Sequence, residues 1–202
     1  MPRAGLRLKA ADVEVIAPNF KRRLSGVTST IVQLIPRQAE TLSIATIGPG
    51  LPDGLPRIRQ ATFLGLWRRP PGRPFRIWHA RRNNEMIAGL LLRHLLRMPL
   101  RLVFTSAAQR RHRPLTKWLI ARMDAVIATS ARSAAFLEVP NTVVMHGIDT
   151  DRFVPAAGAA DRFADSGLSG RYAIGCFGRI RHQKGTDLFV EAMIRLLPSH
   201  PD

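Results

Sequence analysis

The chain has 202 residues, 46 % of them apolar and 6 % aromatic, and a net charge of +17 from 31 Lys and Arg against 14 Asp and Glu. That length holds one α/β domain, or one domain and part of another, and the apolar share excludes a disordered basic tail. A single cysteine, Cys176, excludes an internal disulfide or a cysteine metal cluster.

No apolar run approaches the roughly 18 residues of a membrane helix. Residues 1–9 lack the hydrophobic stretch of a secretory signal, so a soluble cytoplasmic protein with a strongly positive surface is expected.

In chain order, residues 12–18 (DVEVIAP) form a β-branched run ending in a turn signal and are predicted as a strand. A basic loop follows at 19–25. From Gly26, the spacing of Val27, Ile31, Leu34 and Ile35 predicts a helix closed by Pro36. Residues 43–47 read as a second strand, 48–56 as a Gly/Pro turn, and 67–75 (WRRPPGRPF) as an exposed loop. Residues 76–80 (RIWHA) read as a strand.

Asn83 is placed to cap the next helix, with Glu85 in its first turn. Ile87, Leu91, Leu95 and Met98 form the expected apolar stripe of that helix, and Pro99 stops it. Strands at 100–105, 125–129 and 142–145 then alternate with helices at 114–123 and 131–137, the last capped by Ser130. This order predicts a doubly wound, Rossmann-like parallel sheet with helices on both faces. In such a sheet ligands lie beyond the carboxyl ends of the strands. The loops at 19–25, 81–84 and 106–112 occupy that position.

After Asp149 the pattern breaks. Residues 156–170 read as a linker, and 172–177 (YAIGCF) as an apolar strand buried in a parallel sheet, which would make Cys176 an inert buried thiol. A helix follows from Thr186 with Phe189, Met193, Leu196 and Leu197 on one face. Residues 1–155 are expected to form one domain and 171–202 the opening of a second.

Charge is uneven along the chain. Residues 54–123 carry 16 Lys and Arg against one acid, Glu85, so this segment holds +15 of the +17. Such a surface attracts polyanions such as nucleic acid, anionic lipid or phosphorylated sugars. Solvation by an arginine-rich chain is the plainer reading. Few aromatics weigh against single-stranded nucleic acid, which stacks on exposed rings.

Residues 175–186 carry the clearest chemistry. Gly178 ends a predicted strand, and a loop bearing Arg179, Arg181, His182 and Lys184 leads to a helix start at Gly185-Thr186. Free amides and the helix dipole favour an anion there, while Arg179 and Lys184 add a fork of donors and a point charge. A diphosphate is the natural ligand, although a solvated basic turn has the same composition. The loop lacks the Gly-Lys-Ser/Thr of a P-loop and the glycine spacing of a dinucleotide fingerprint.

FGRIRHQKGTDLFVEAM closely resembles the phosphate-binding loop of retaining glycosyltransferases of family 4, which have the two-domain GT-B fold. HGIDTDRFVP (146–155) is similar to the segment leading out of that family's N-terminal domain. APNFKRRLSGVTSTI resembles its first glycine-containing loop and helix. WHARRNNEM and TSAAQRRH look closer still to the lipopolysaccharide-core mannosyltransferases within the family.

The resemblance implies an acceptor-side domain over 1–155, a linker over 156–170, and an incomplete donor-binding domain over 171–202. It implies transfer of mannose from GDP-mannose, with retention, to an anionic glycolipid acceptor, with peripheral contact to the cytoplasmic face of an anionic inner membrane. No metal or further cofactor is expected, since basic side chains can neutralise a leaving diphosphate.

Arg179 and Lys184 match the residues that grip the donor diphosphate, flanked by Gly178 and Gly185, and Gly26 matches the glycine that approaches the donor. On the acceptor side the candidates are His79, Arg81, Arg82, Asn83, Gln109 and Arg110. His79 reads equally as a hydrogen-bonded structural histidine, and the cluster from Arg68 to Arg82 as a face toward acceptor and membrane. Where relatives carry Thr-x-His, this chain has Thr105-Ser106-Ala107, and Gln109, Arg110 or His112 are the available substitutes. The Glu-x7-Glu half of the family is not in the sequence, so the chain looks like a truncated enzyme. A non-catalytic basic module for nucleic acid or anionic membrane, or an inactive fragment, is the alternative.

Overall fold

The structure, a computed structural model, describes residues 7–23, 25–151, 153–154, 167–168, 173–178, 180 and 182–200. The chain divides into two compact units, Met1–Ile148 and Asp149–Asp202.

The first unit is built on one parallel sheet. Its strands are β1 (Arg7–Leu8), β2 (Val15–Pro18), β3 (Ile44–Ile47), β4 (Arg57–Ile58), β5 (Arg76–Ala80), β6 (Leu100–Ser106), β7 (Ala125–Ala128) and β8 (Thr142–Val143). They lie in the order β1-β4-β3-β2-β5-β6-β7-β8, and all neighbours run parallel. The predicted Rossmann-like α/β class is therefore the observed one.

Its helices are α1 (Gly26–Gln38), α2 (Asn83–His94), α3 (Pro114–Ile120) and the short α4 (Ala131–Ala134). Strand β2 is flanked by β3 on one side and β5 on the other. The winding reverses there, so the loops leaving β2 and β5 part and open a crevice at the carboxyl edge.

Alternation along the strands sends successive side chains to opposite faces. Val15, Ala17 and Ile44 pack against Ile31 and Ile35 of α1 on one face. Ile16, Trp78, Leu102 and Phe104 pack against Met86, Leu119 and Ile120 of α2 and α3 on the other.

Several local expectations are corrected. Pro36 lies inside α1, which runs on to Gln38; proline's φ suits a helix, and near the end only one backbone bond is forfeited. Asn83 is the first helical residue of α2, not its cap, and the capping position is Arg82. The Glu85 carboxylate instead accepts the Arg81 amide at 2.7 Å.

Of the expected apolar stripe only Met98 is buried, whereas Ile87, Leu91 and Leu95 are 41, 53 and 72 % exposed. The helix buries Glu85, Met86 and Gly89 instead. A Cβ on Gly89 would lie 2.7 Å from the Trp78 ring and 3.0 Å from Leu102. The helix approaches the sheet most closely where there is no side chain, and this fixes its rotation.

The arginines of 68–82 do not share one face. Arg76 is fully buried. Its guanidinium donates to the carbonyls of Val13, Leu66 and Ala10 at 2.6–2.9 Å, tying the segment before β2 to the 3-10 turns at Gln60–Trp67. Burial lowers its pKa from the ordinary arginine value.

In the second unit, residues 173–177 are not strand, and Phe177 and Ile174 are 96 and 60 % exposed. A strand exists through its ladder, and no described segment pairs with this one. Cys176 is accordingly exposed, not a buried thiol. Helix α5 (Thr186–Leu196) forms where expected, but none of its described side chains is fully buried.

Candidate functional site

The carboxyl edge of the first unit carries a buried polar knot. Asn19, Thr28 and Glu85 are fully buried there. Arg82 joins them: its guanidinium donates to Asn19 Oδ1 at 2.8 Å, Glu85 Oε1 at 2.6 Å, Thr28 Oγ1 at 3.0 Å and Ser25 Oγ at 3.1 Å. One side chain thus holds the loop after β2, the start of α1 and the start of α2 in fixed relation. Ser25 also caps α1 by accepting the Thr28 amide at 3.3 Å. Gly26 follows directly, exposed, and a Cβ there would meet nothing within 4 Å. Among the described residues no packing demands a glycine at that place.

Beside the knot lies a cavity of about 560 Å³, bounded by the start of α1 at Val27, by Arg81 and Asn83, and by residues from Phe104 to Thr116. Among the described residues, four that bear a guanidinium line it, Arg81, Arg110, Arg111 and Arg113, together with His112, and none that bears a carboxylate does. Arg81 is only 8 % exposed. Its burial lowers its pKa to about 10, against the partial opposition of the Glu85 charge. Asn83 donates to Thr116 Oγ1 at 2.8 Å, bridging α2 and α3. His112 lies 3.4 Å from Ser106 Oγ, and burial, then Arg110 and Lys117, hold its pKa below the ordinary histidine value.

The structure thus gathers three expected acceptor-side residues, Arg81, Asn83 and Arg110, into one wall. Arg82 stands behind it, with its donors engaged. Gln109 is exposed and outside the cavity lining. His79 also stands behind the wall, hydrogen-bonded at 2.7 Å to Thr105 Oγ1, the cavity-lining threonine of β6. Burial first, then the Arg81 charge, lowers its pKa to about 3, so the ring is neutral at pH 7. Arg113 and Thr116 were not among the expected site residues. The basic run QRRHRP (109–114), shortly after β6, is the signal that could have found Arg113, whereas no sequence signal marks Thr116.

In the second unit, Gly178 and Gly185 have φ of 141° and 69°, in the range that favours glycine. Lys184 is exposed in the 3-10 turn His182–Lys184, one residue before α5, and makes no ion pair with any described residue. His182 Nδ1 contacts the Asp187 carboxylate, which chiefly accounts for the lowered pKa of Asp187. Arg179 and Arg181 lie outside the described residues. Among the described residues, no three of His, Cys, Asp or Glu are grouped to hold a metal ion. No helix among them is long and apolar enough to cross a membrane.

No family model matches the chain. It is 67 % identical over 192 residues to the lipopolysaccharide core biosynthesis mannosyltransferase LpcC of Rhizobium leguminosarum bv. viciae, covering 95 % of this chain and 54 % of that protein. It is 63 % identical over 193 residues to the lipopolysaccharide core biosynthesis mannosyltransferase LpsB of Rhizobium meliloti (strain 1021), covering 95 % and 55 %. The chain spans about half the length of the curated relatives it matches. Identity of 63–67 % over 95 % of the chain makes these lipopolysaccharide core biosynthesis mannosyltransferases its homologues.

Proposed function

We propose that the chain provides the acceptor-side domain and the donor-phosphate loop of a mannosyltransferase acting on a lipopolysaccharide core acceptor. The donor is GDP-mannose, and the anomeric configuration is retained. The observation that carries this reading is the identity of 63–67 % over 95 % of the chain. The cationic cavity at the carboxyl edge of the parallel sheet supports it, because that is where such sheets take ligands.

The chemistry breaks the bond between the sugar's anomeric carbon and the diphosphate, and negative charge grows on the departing GDP. Groups aimed at that charge lower the barrier. Lys184 contributes a point charge and Arg179 a donor fork, and Gly178 and Gly185 let the backbone approach the phosphates. In the first unit, the open space over Gly26 leaves room for a ligand where a side chain would stand. His79, neutral and bonded to Thr105, orients the cavity wall without adding charge.

The protein works peripherally on an anionic membrane. Ile87 and Leu91 of α2 and Leu95 at its C-cap form an exposed apolar row, with Arg93 and Arg97 near the helix end. On α3, half-exposed Trp118 carries the Arg122 guanidinium 3.6 Å above its ring. Apolar rows edged with arginine suit a lipid headgroup layer.

A chimera tests the transferase reading: this chain replaces the corresponding part of the Rhizobium leguminosarum relative, and mannose transfer from labelled GDP-mannose to lipopolysaccharide core acceptor is measured. Transfer with retention, lost on Lys184→Ala while thermal stability holds, is expected. A folded chimera that releases no GDP would overturn the reading.

A further inference from the structure

We propose that the cavity walled by Arg81, Arg110, Arg113 and His112 is an oxyanion subsite, which reads a carboxylate or phosphate group on the acceptor sugar. The inference deepens the acceptor-side reading above and rests on it for the word acceptor. The anion site itself stands on geometry alone.

Three observations meet there. First, the lining is cationic, and Glu85 and Glu138 act on it only from outside the cavity. Among the described residues no carboxylate lines the cavity, and Arg110 and Arg113 make no ion pair.

Second, Arg81 is nearly buried yet has donors to spare. A guanidinium has five N–H donors, and that of Arg81 makes one long bond, to the His79 carbonyl at 3.3 Å. The neighbouring carboxylate does not satisfy it: Glu85 Oε1 is taken by Arg82 and Oε2 by the Arg81 backbone amide. Burying a cation without partners is costly, so the cavity side of Arg81 is where an oxyanion would complete it.

Third, neutral donors stand around the same space. The hydroxyls of Thr105, Ser106 and Thr116 line the cavity with the arginines. A planar fork, loose cations and hydroxyls together fit an oxyanion on a sugar better than a bare ion or an apolar group. A neutral hexose would leave Arg81 as unpaired as before.

The test titrates this chain with glucose 6-phosphate, glucuronate and glucose, following the His112 imidazole by NMR. Either anionic sugar should bind at one site at least about tenfold tighter than glucose, the gain expected of charge-assisted hydrogen bonds. His112 should titrate at a higher pH when the site is filled, because the anion offsets the repulsion of Arg110 and Lys117. The tighter of the two anions identifies phosphate or carboxylate as the group read.

Arg81→Lys keeps the charge but loses the fork, and should weaken binding about tenfold. Arg110→Gln, on an exposed position that the fold does not need, should weaken it as well, and Arg132→Gln, on the exposed face of α4 away from the cavity lining, should leave it unchanged. Equal binding of glucose, an unmoved His112 signal, or unaltered affinity in Arg110→Gln overturns the subsite. Anion binding with the expected variant pattern, alongside a chimera that transfers no sugar, would sink the transferase reading and leave the subsite standing.

Discussion

Arg82 and Arg81 are adjacent in sequence and do different work. Arg82 spends its guanidinium on four protein acceptors, whereas Arg81 turns its own toward an open cavity. Arg82→Ala should therefore act on stability first, since it strips the fully buried Glu85 carboxylate of its ion partner. A loss of about 3–5 kcal/mol in urea unfolding is expected, and no loss would mean that the knot is not a unit.

His79 makes a pH prediction at the same scale. Its folded pKa of about 3 lies below the ordinary 6.5, so between those values the unfolded chain binds a proton that the folded one excludes. Its contribution is complete above pH 6.5 and is lost as pH falls toward 3. From pH 7.5 to 5 the chain should lose about 1–2 kcal/mol through this residue. His79→Asn should flatten that part of the stability–pH curve; an unchanged slope would assign the loss to other groups.

Among the elements, α2 is where pattern and packing part. Its sequence offers two overlapping apolar rows, and helical spacing favours Ile87, Leu91 and Leu95. The structure buries the row of Met86 and Gly89 because a glycine permits close approach to Trp78, whose indole N–H donates to the Glu85 carbonyl at 2.8 Å. Alanine is the better helix former by about 1 kcal/mol, yet Gly89→Ala should destabilise by about 1–3 kcal/mol, because the pinned indole cannot move aside. A gain in melting temperature would show that α2 is free to turn its other row inward.

Strand β5 shows the opposite case. RIWHA was legible as a strand to the residue, but its leading Arg76 belongs by composition to a basic surface and by structure to the interior. No local pattern announces that five backbone carbonyls converge on one side chain.

At the scale of the molecule, the exposed row on α2 and the excess of arginine predict binding to membranes. The chain should sediment with vesicles containing anionic phospholipid and not with neutral ones, and salt should weaken the attachment. Leu91→Glu with Leu95→Glu should abolish it without unfolding the protein, since both side chains are already exposed. Retention on anionic vesicles by that double variant would assign the attachment to charge alone.

What the linear order determined is the class of the fold and the relationship: short apolar strands alternating with helices can close only as a parallel layered sheet, and the glycine and basic segments at 146–155 and 175–186 carry a family likeness. Those are local properties, set by period and by neighbours along the chain. Tertiary structure alone decided which row of α2 faces the core, why Arg76 is inside, and how Arg81 and Asn83 join Arg110, Arg111 and Arg113 in one cationic wall. Those outcomes depend on close approach and on charge compensation between segments far apart in sequence, and spacing along the chain contains neither.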